Sequence, residues 1–320
     1  MTNLIDRRLS LALLAGTSTA LMLASRGAAA APTISLMTAG PGSAFLPYGT
    51  GIAQVINATD VAAIKVVESK GSNENLSAVD GSPTTIGTAF LGSAFDAISG
   101  AGFAAGRRHE NIRALFPMYE TAFMAAALVS SKLTKLQDLD GRKVGCGPAN
   151  GPAEGYVRAA AEIAGVKPVI IGGTPADQAK QLLAGEIDVF WQGASVPIPS
   201  LVSVTNAAAC TLFGLSETEQ SAMRKRFPFM SDFACAPGTY RGQEASLQSV
   251  AAWNVVVAHK DLSNDLASAI TRTILRSPDL VRFAGAAARS TTAQNAKFNR
   301  VVPYHPGALQ VLGELGVKLE

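Results

Sequence analysis

Few residues of this 320-residue chain have the chemistry for covalent catalysis. It carries three cysteines, Cys146, Cys210 and Cys235, and three histidines, His109, His259 and His305. Cys146 lies in a Gly-Cys-Gly turn, and a nucleophilic thiol needs an activating base. No histidine is close to it in sequence, which argues for a structural, small-residue role. His305 precedes Pro306 and fits the cap of a last helix. The acids Asp138 and Asp140 read as a solvated helix end. No Gly-x-Gly-x-x-Gly fingerprint, Walker loop, zinc spacing or Gly-x-Ser-x-Gly elbow occurs. The chain is therefore expected not to be an enzyme and to hold no metal or cofactor. An exported enzyme using Cys146 or His305 is the alternative from another class.

What remains is binding by backbone. Thr38 to Gly49, Ser69 to Leu76 and Gly147 to Glu154 each place a Gly-rich turn between a strand and a helix. Gly leaves its backbone N–H bare, and a helix start offers unpaired N–H groups and the positive end of a dipole. Together they suit an anion. Any one of these is an ordinary βα turn when taken alone; three facing one another would make a cleft. Ligands of open α/β sheets bind beyond the carboxyl ends of strands. The candidate donors are Ser43, Ala44, Ser72 and Asn75 in the first half, and Asn150, Gly151, Pro152 and Gln192 are candidates to line the site from the second. Phe45, Phe90 and Trp191 are candidate apolar walls, with core packing as the other reading of each.

The elements that must position these residues alternate. Thr33 to Met37, Val61 to Glu68 and Thr84 to Phe90 read as strands, with a helix from the first turn to about Asn57 and another capped by Ser72. A long apolar stretch runs from Asn111 through Val129. Pro152 fits the first position of a helix that stops at Gly165, and Thr174-Pro175 starts another. Asp188 to Gly193 and Asn206 to Phe213 read as strands, Glu217 to Arg226 as a helix and Val250 to Ala258 as a long apolar return. Leu266, Ile270 and Ile274, then Leu309, Leu312 and Leu315, mark closing helices. Repeated β–α units imply parallel strands covered on both faces.

Composition bounds the rest. The chain is 48% hydrophobic, 16% charged and 6% aromatic, enough for a large core. Net charge is +3, of which one acid and three arginines of the first thirty residues supply +2, leaving +1. That near-neutral body has no basic stripe and argues against nucleic acid. Arg7-Arg8, the apolar run to Leu23 and Ala28-Ala29-Ala30 read as a signal peptide at 1–30, cleaved after Ala30. A retained anchor is the alternative, and the arginine pair leaves both general and twin-arginine export open. The mature chain is expected in the periplasm. In an oxidising compartment Cys210 and Cys235, in the same half, are the favoured disulfide pair.

The motifs in their order resemble the TAXI family, the TRAP-associated extracytoplasmic immunogenic solute-binding proteins. The resemblance rests on the loop Thr38 to Gly49, Gly71-Ser72-Asn73-Glu74-Asn75-Leu76, Ile112-Arg113-Ala114-Leu115, Asp138-Leu139-Asp140-Gly141-Arg142-Lys143-Val144, Gly238-Thr239-Tyr240-Arg241-Gly242 and His305-Pro306-Gly307-Ala308. It implies an α/β, two-lobed periplasmic-binding-protein fold of type II character with a hinge of crossing strands. Lobe I would be 31–122 plus 252–320, and lobe II 123–251. It further implies a monomer that captures a small organic acid and delivers it to the membrane subunits of a tripartite ATP-independent periplasmic transporter. A sensor that presents its ligand to a receptor is the alternative. The chain departs from the family's pattern at Phe45-Leu46, Phe90-Leu91-Gly92, Asn150 and Ala194-Ser195-Val196-Pro197. Those exchanges remove polar groups and favour a less polar carboxylate, such as an aromatic or keto acid, over glutamate.

Overall fold

The computed structural model describes residues 31–40, 43–149 and 151–319; the leader and its cleavage site lie outside the described residues. In chain order the strands are β1 (Thr33–Met37), β2 (Ala63–Val67), β3 (Thr85–Phe90), β4 (Ile112–Leu128), β5 (Lys143–Gly145), β6 (Val169–Ile171), β7 (Val189–Ala194), β8 (Cys210–Phe213), β9 (Met230–Cys235) and β10 (Leu247–His259). The helices are α1 (Phe45–Asn57), α2 (Ser72–Asp80), α3 (Leu91–Ser99), α4 (Pro152–Ala164), α5 (Pro175–Leu183), α6 (Pro199–Ala207), α7 (Glu217–Arg226), α8 (Asn264–Arg276), α9 (Leu280–Ala284) and α10 (Pro306–Glu314).

All ten strands join one sheet, ordered β2-β1-β3-β10-β4-β7-β5-β6, with β8 on β4 and β9 on β10. The outer groups are parallel: β1 with β2 and β3, and β5 with β6 and β7. Between them run β4, of 17 residues, and β10, of 13, antiparallel to each other. β10 pairs with β3 over Asn254–Ala258 and with β9 over Leu247–Ala252. β4 pairs with β7 over Ala122–Ala127. β10 thus joins the first group and β4 the second, and their pairing with each other links the two, the crossing arrangement expected from the apolar stretches at 111–129 and 250–258. Both are buried on nearly every residue, as strands covered on two faces must be.

Side chains alternate across a strand, and β4 sorts its residues accordingly. Phe123, Ala125 and Ala127 enter a core that runs without a break from Leu76 and Ala94 to Val144, Val157 and Trp191. Ala122, Met124 and Ala126 enter a different core with Phe190, Leu201 and Val204. On that second side the α1, α8 and α9 residues Tyr48, Ile52, Ile270 and Ala284 form their own cluster with Ile34 and Phe116. One side of the sheet is therefore continuously packed, and the other is divided.

Three local readings are corrected. The stretch from Asn206 to Phe213 is not one strand: α6 runs through Ala207, and β8 starts at Cys210. Leu201, Val204 and Thr205 bury one face of a helix that opens on Pro199, and Asn206 and Ala207 complete its last turn. The segment Met230–Cys235 carries a strand that the sequence reading passed over. The expected Cys210–Cys235 bridge is absent, and all three cysteines are free thiols. Cys210 lies on β8 beside β4 and Cys235 on β9 beside β10, so their sulfurs meet different neighbours, the carbonyls of Val204 at 3.7 Å and Ala236 at 3.8 Å.

Candidate functional site

The helices differ in how they begin. The N-cap side chains of α5, α7, α8 and α10, namely Thr174, Ser216, Ser263 and His305, accept a hydrogen bond from the first turn. Those of α1, α2, α3 and α4, namely Ala44, Gly71, Phe90 and Gly151, accept none. The shorter α6 and α9 also lack such a cap. First-turn N–H groups left this way favour an anion.

At the first junction Thr38 is anchored to β2, its N–H and hydroxyl both reaching the Val67 carbonyl, at 2.9 and 3.0 Å. Ser43 Oγ accepts the Phe45 N–H at 3.2 Å. Ala44 is exposed and Phe45 half-buried, the ring packing against both neighbouring cores. At the second, Ser72 Oγ accepts the Phe90 N–H at 3.0 Å, which ties the start of α2 to the end of β3. Asn75 is fully buried. Its Nδ2 donates to the carbonyls of Thr38 and Thr88 at 2.6 and 2.8 Å, and its Oδ1 accepts from Ser69 at 2.6 Å. The structure thus turns Asn75 inward, with both ends of its amide engaged by protein.

In the second half Asn150 lies outside the described residues. Gly151 and Pro152 open α4 as expected, with the Gly151 N–H donating to the Pro148 carbonyl at 3.0 Å. Trp191 and Gln192 are consecutive on β7 and face opposite sides of the sheet. Trp191 is fully buried and stacks on Phe123, centroids 6.2 Å apart and planes 15° apart. Its Nε1 has no partner, and neither has the buried Gln192 Oε1.

The structure joins Phe90 and Trp191 through residues the sequence reading did not single out. Phe123 touches Phe90, Tyr156 and Trp191, and Tyr156 touches Phe90, Phe227 and Phe229. This aromatic group binds the ends of β3 and α3 to the start of α4 and to β9. Two glycines make room for it: a Cβ at Gly92 would fall on Tyr156 Oη, and one at Gly193 on the Phe123 ring. Tyr156 stands one turn into α4, at helical spacing from Pro152, and that spacing was the available signal. Burial raises the pKa of Tyr156, with Asp96 adding to it, and burial also raises that of Asp96.

The groups with nucleophilic potential are inert. Burial pushes the Cys146 thiol up to about 11, the opposite of activation. His305 Nδ1 accepts from Gly307 N–H at 3.2 Å, the capping role expected of it, and burial lowers its pKa. Asp138 Oδ2 takes the N–H groups of Thr134 and Lys135, which lower its pKa. Among the described residues no group of three or more His, Cys, Asp or Glu side chains could hold a metal ion. No helix of the described residues is long and apolar enough to cross a membrane.

Known proteins place this architecture. The chain is similar to MatC from Rhodopseudomonas palustris with bound malate, at 13% identity over 89% of this chain and 97% of that one, TM-score 0.54. It is similar to R. palustris Rpa4515 with adipate, at 12% identity over 89% and 93%, TM-score 0.52. A third structure of this kind is a TctC solute-binding protein from Polaromonas, at 12% identity over 89% and 98%, TM-score 0.51. These likenesses establish the fold, the mixed α/β architecture of periplasmic binding proteins. No curated protein matches the sequence. A family model matches residues 36–316, and the chain belongs to the NMT1-like family.

Proposed function

We propose that this chain is an extracytoplasmic solute-binding protein of the TAXI type, which captures a small organic acid and delivers it to the membrane subunits of a tripartite ATP-independent transporter. The observation that carries the reading is the set of helix starts at α1 to α4, left without side-chain caps in a fold that elsewhere holds malate or adipate. Uncapped N–H groups and helix dipoles are a ready anion site. The lobes would be 31–122 plus 252–320 and 123–251, moving about β4 and β10 as a hinge.

In this reading Ser43, Ala44 and Ser72 supply donors from the first lobe, and Asn150, Gly151 and Pro152 line the second. Phe45 and Phe90 form an apolar wall. Asn75 acts from behind, holding the Thr38 and Thr88 carbonyls in place, and Trp191 backs Phe123. Gln192 is a donor or acceptor only from the opposite side of the sheet. The protein would bind without turnover, work as a monomer and reach the periplasm after cleavage near Ala30.

A melting-temperature screen of ligand-free protein against malate, adipate, phenylpyruvate and glutamate tests this. A ligand that binds only the folded chain raises the midpoint by mass action, by an equivalent of about 2.7 kcal/mol at a hundredfold excess over Kd. The expected order puts a less polar acid first and glutamate last. A midpoint unmoved by every acid would overturn the proposal.

A further inference from the structure

Near the end of β4 the sheet forks. Along one edge of that strand Phe123 pairs with Val250 of β10, and two residues further on Ala125 pairs with Phe213 of β8. Both partners run antiparallel to β4 and so in the same direction as each other. They meet where the Leu215 N–H donates to the Gln248 carbonyl at 3.0 Å, and a Cβ at Gly214 would fall on that carbonyl. Beyond that point the two arms stand on either side of a cavity of about 690 Å³, Cys210 to Leu215 on one wall and Gly242 to Gln248 on the other. Val129, an apolar side chain 52% exposed, also lines it. No residue assigned above to the acid site contributes to this cavity.

Both walls are chain edges with hydrogen-bonding capacity to spare. β8 pairs with β4 alone, which leaves its far edge unpaired among the described residues. Facing it, the N–H groups of Glu244, Ala245 and Ser246 have no acceptor among the described residues.

An open strand edge is a template for another chain, and proteins guard such edges with charge or proline. Among the described residues four strands have a single neighbour: β2, β6, β8 and β9. β2 carries the exposed Lys65, β6 follows Lys167-Pro168, and β9 carries Asp232, paired with Arg224. β8 is Cys-Thr-Leu-Phe, preceded by three alanines and followed by Gly214, with neither charge nor proline. The one unguarded edge is thus the one that borders a cavity.

The charged side chains of the cavity are Lys135, Glu219 and Glu244, a net charge of −1. Glu219 is spent on Gln137 and on the Ser216 N–H, each at 2.7 Å. Lys135 lies beside Asp138 and helps to lower its pKa. Glu244 is exposed and has no hydrogen-bond or ion-pair partner among the described residues. The charge left open is therefore negative, and it favours a basic side chain.

We propose that this fork is a docking slot for an extended segment of a partner protein, which adds as a strand along β8 and carries a basic residue at the Glu244 end. Main-chain hydrogen bonds supply the affinity of such an added strand, and alternate side chains supply its selectivity. Here the alternate side chains would meet Val129 and Leu212. The slot acts independently of the acid site.

The probe is the peptide acetyl-Thr-Val-Thr-Val-Arg-amide, whose β-branched residues favour an extended chain. Fluorescence anisotropy with the purified full chain measures its affinity, and amide chemical shifts locate it. Saturable binding is expected, with shifts at Cys210 to Phe213 and at Glu244 to Ser246. Methylating two alternate peptide nitrogens removes donors without changing side chains. It should weaken binding by about two- to tenfold for each hydrogen bond lost. Glu244→Lys should weaken the peptide by about two- to fivefold, an effect that salt diminishes. Ala245→Pro removes an N–H from the second wall and should also weaken it; circular dichroism checks its folding, and Glu244→Lys carries the test if it fails to fold. Absence of saturable binding, equal binding of the methylated peptide, or shifts confined to the starts of α1 to α4 overturns the inference. So does a dimer that shifts the same amides without peptide, which would assign the edge to a second copy of the chain. Malate titrated in parallel reports on the acid reading separately, so either can fail while the other stands.

Discussion

The two sides of the central sheet meet the same strands in opposite ways. On one, Phe90, Phe123, Tyr156, Trp191 and Phe229 close the space between the end of β3 and the start of α4. On the other, the α1 and α6 cores stay apart, and a cavity lies near Tyr119 and Glu120. The packed side gains dispersion and hydrophobic burial. The hollow side leaves a phenol and a carboxylate without partners among the described residues, which lowers stability.

Substitutions on the two sides should therefore differ in sign as well as size. Phe123→Ala removes the ring at the centre of the packed side, and a buried Phe→Ala change destabilises by about 3–5 kcal/mol. Urea unfolding should show that loss, and a loss under 1 kcal/mol would mean the aromatic group is not cohesive. Asn75→Ala bares the buried carbonyls of Thr38 and Thr88 and should cost about 1–3 kcal/mol. Acid binding that vanished without any loss of stability would instead make Asn75 a direct ligand contact. Tyr240→Phe removes the hydrogen bond at 2.8 Å to the Ile198 N–H, at about 0.5–1.5 kcal/mol by the same measurement.

Glu120→Gln, on the hollow side, should stabilise slightly at neutral pH. Burial raises the folded-state pKa of Glu120 above its usual 4.5. The folded chain therefore holds that proton more tightly than the unfolded one. The resulting stability is present below about 4.5 and is lost as pH rises through the folded value. The advantage of the Gln variant should grow from pH 4 to pH 7. A stability difference independent of pH would show that the carboxylate is better solvated than its burial implies.

Much of the scaffold was legible in the sequence. β1 and its helix, the capped starts of α5 and α7, and the long strands carry strong local signals: alternation, Pro at the first helical position, Ser or Thr before it. α6 was not legible, because it opens on Pro199 with no side-chain cap before it and ends inside the stretch read as the next strand, and burial of Leu201 and Val204 sets its face. The site was read less well, for a physical reason. The role of Asn75 depends on carbonyls 37 and 13 residues away, and Phe123, Tyr156 and Phe229 meet only through the tertiary fold. The opposed directions of Trp191 and Gln192 follow from the two-residue period of a strand, a constraint that assigning both to one cleft overlooked.

The lengths of β4 and β10 also govern how the molecule comes apart. β10 is hydrogen-bonded to β3 and β9, β4 to β7 and β8, and the two to each other. Neither end can melt without stripping partners from a strand the other still needs. The chain should therefore lose its order in a single cooperative transition, with amide protons of Ala122 to Ala127 and Ala251 to Val257 among the slowest to exchange. A cut at 122 would split β4 and one at 252 would split β10, and neither fragment should fold alone.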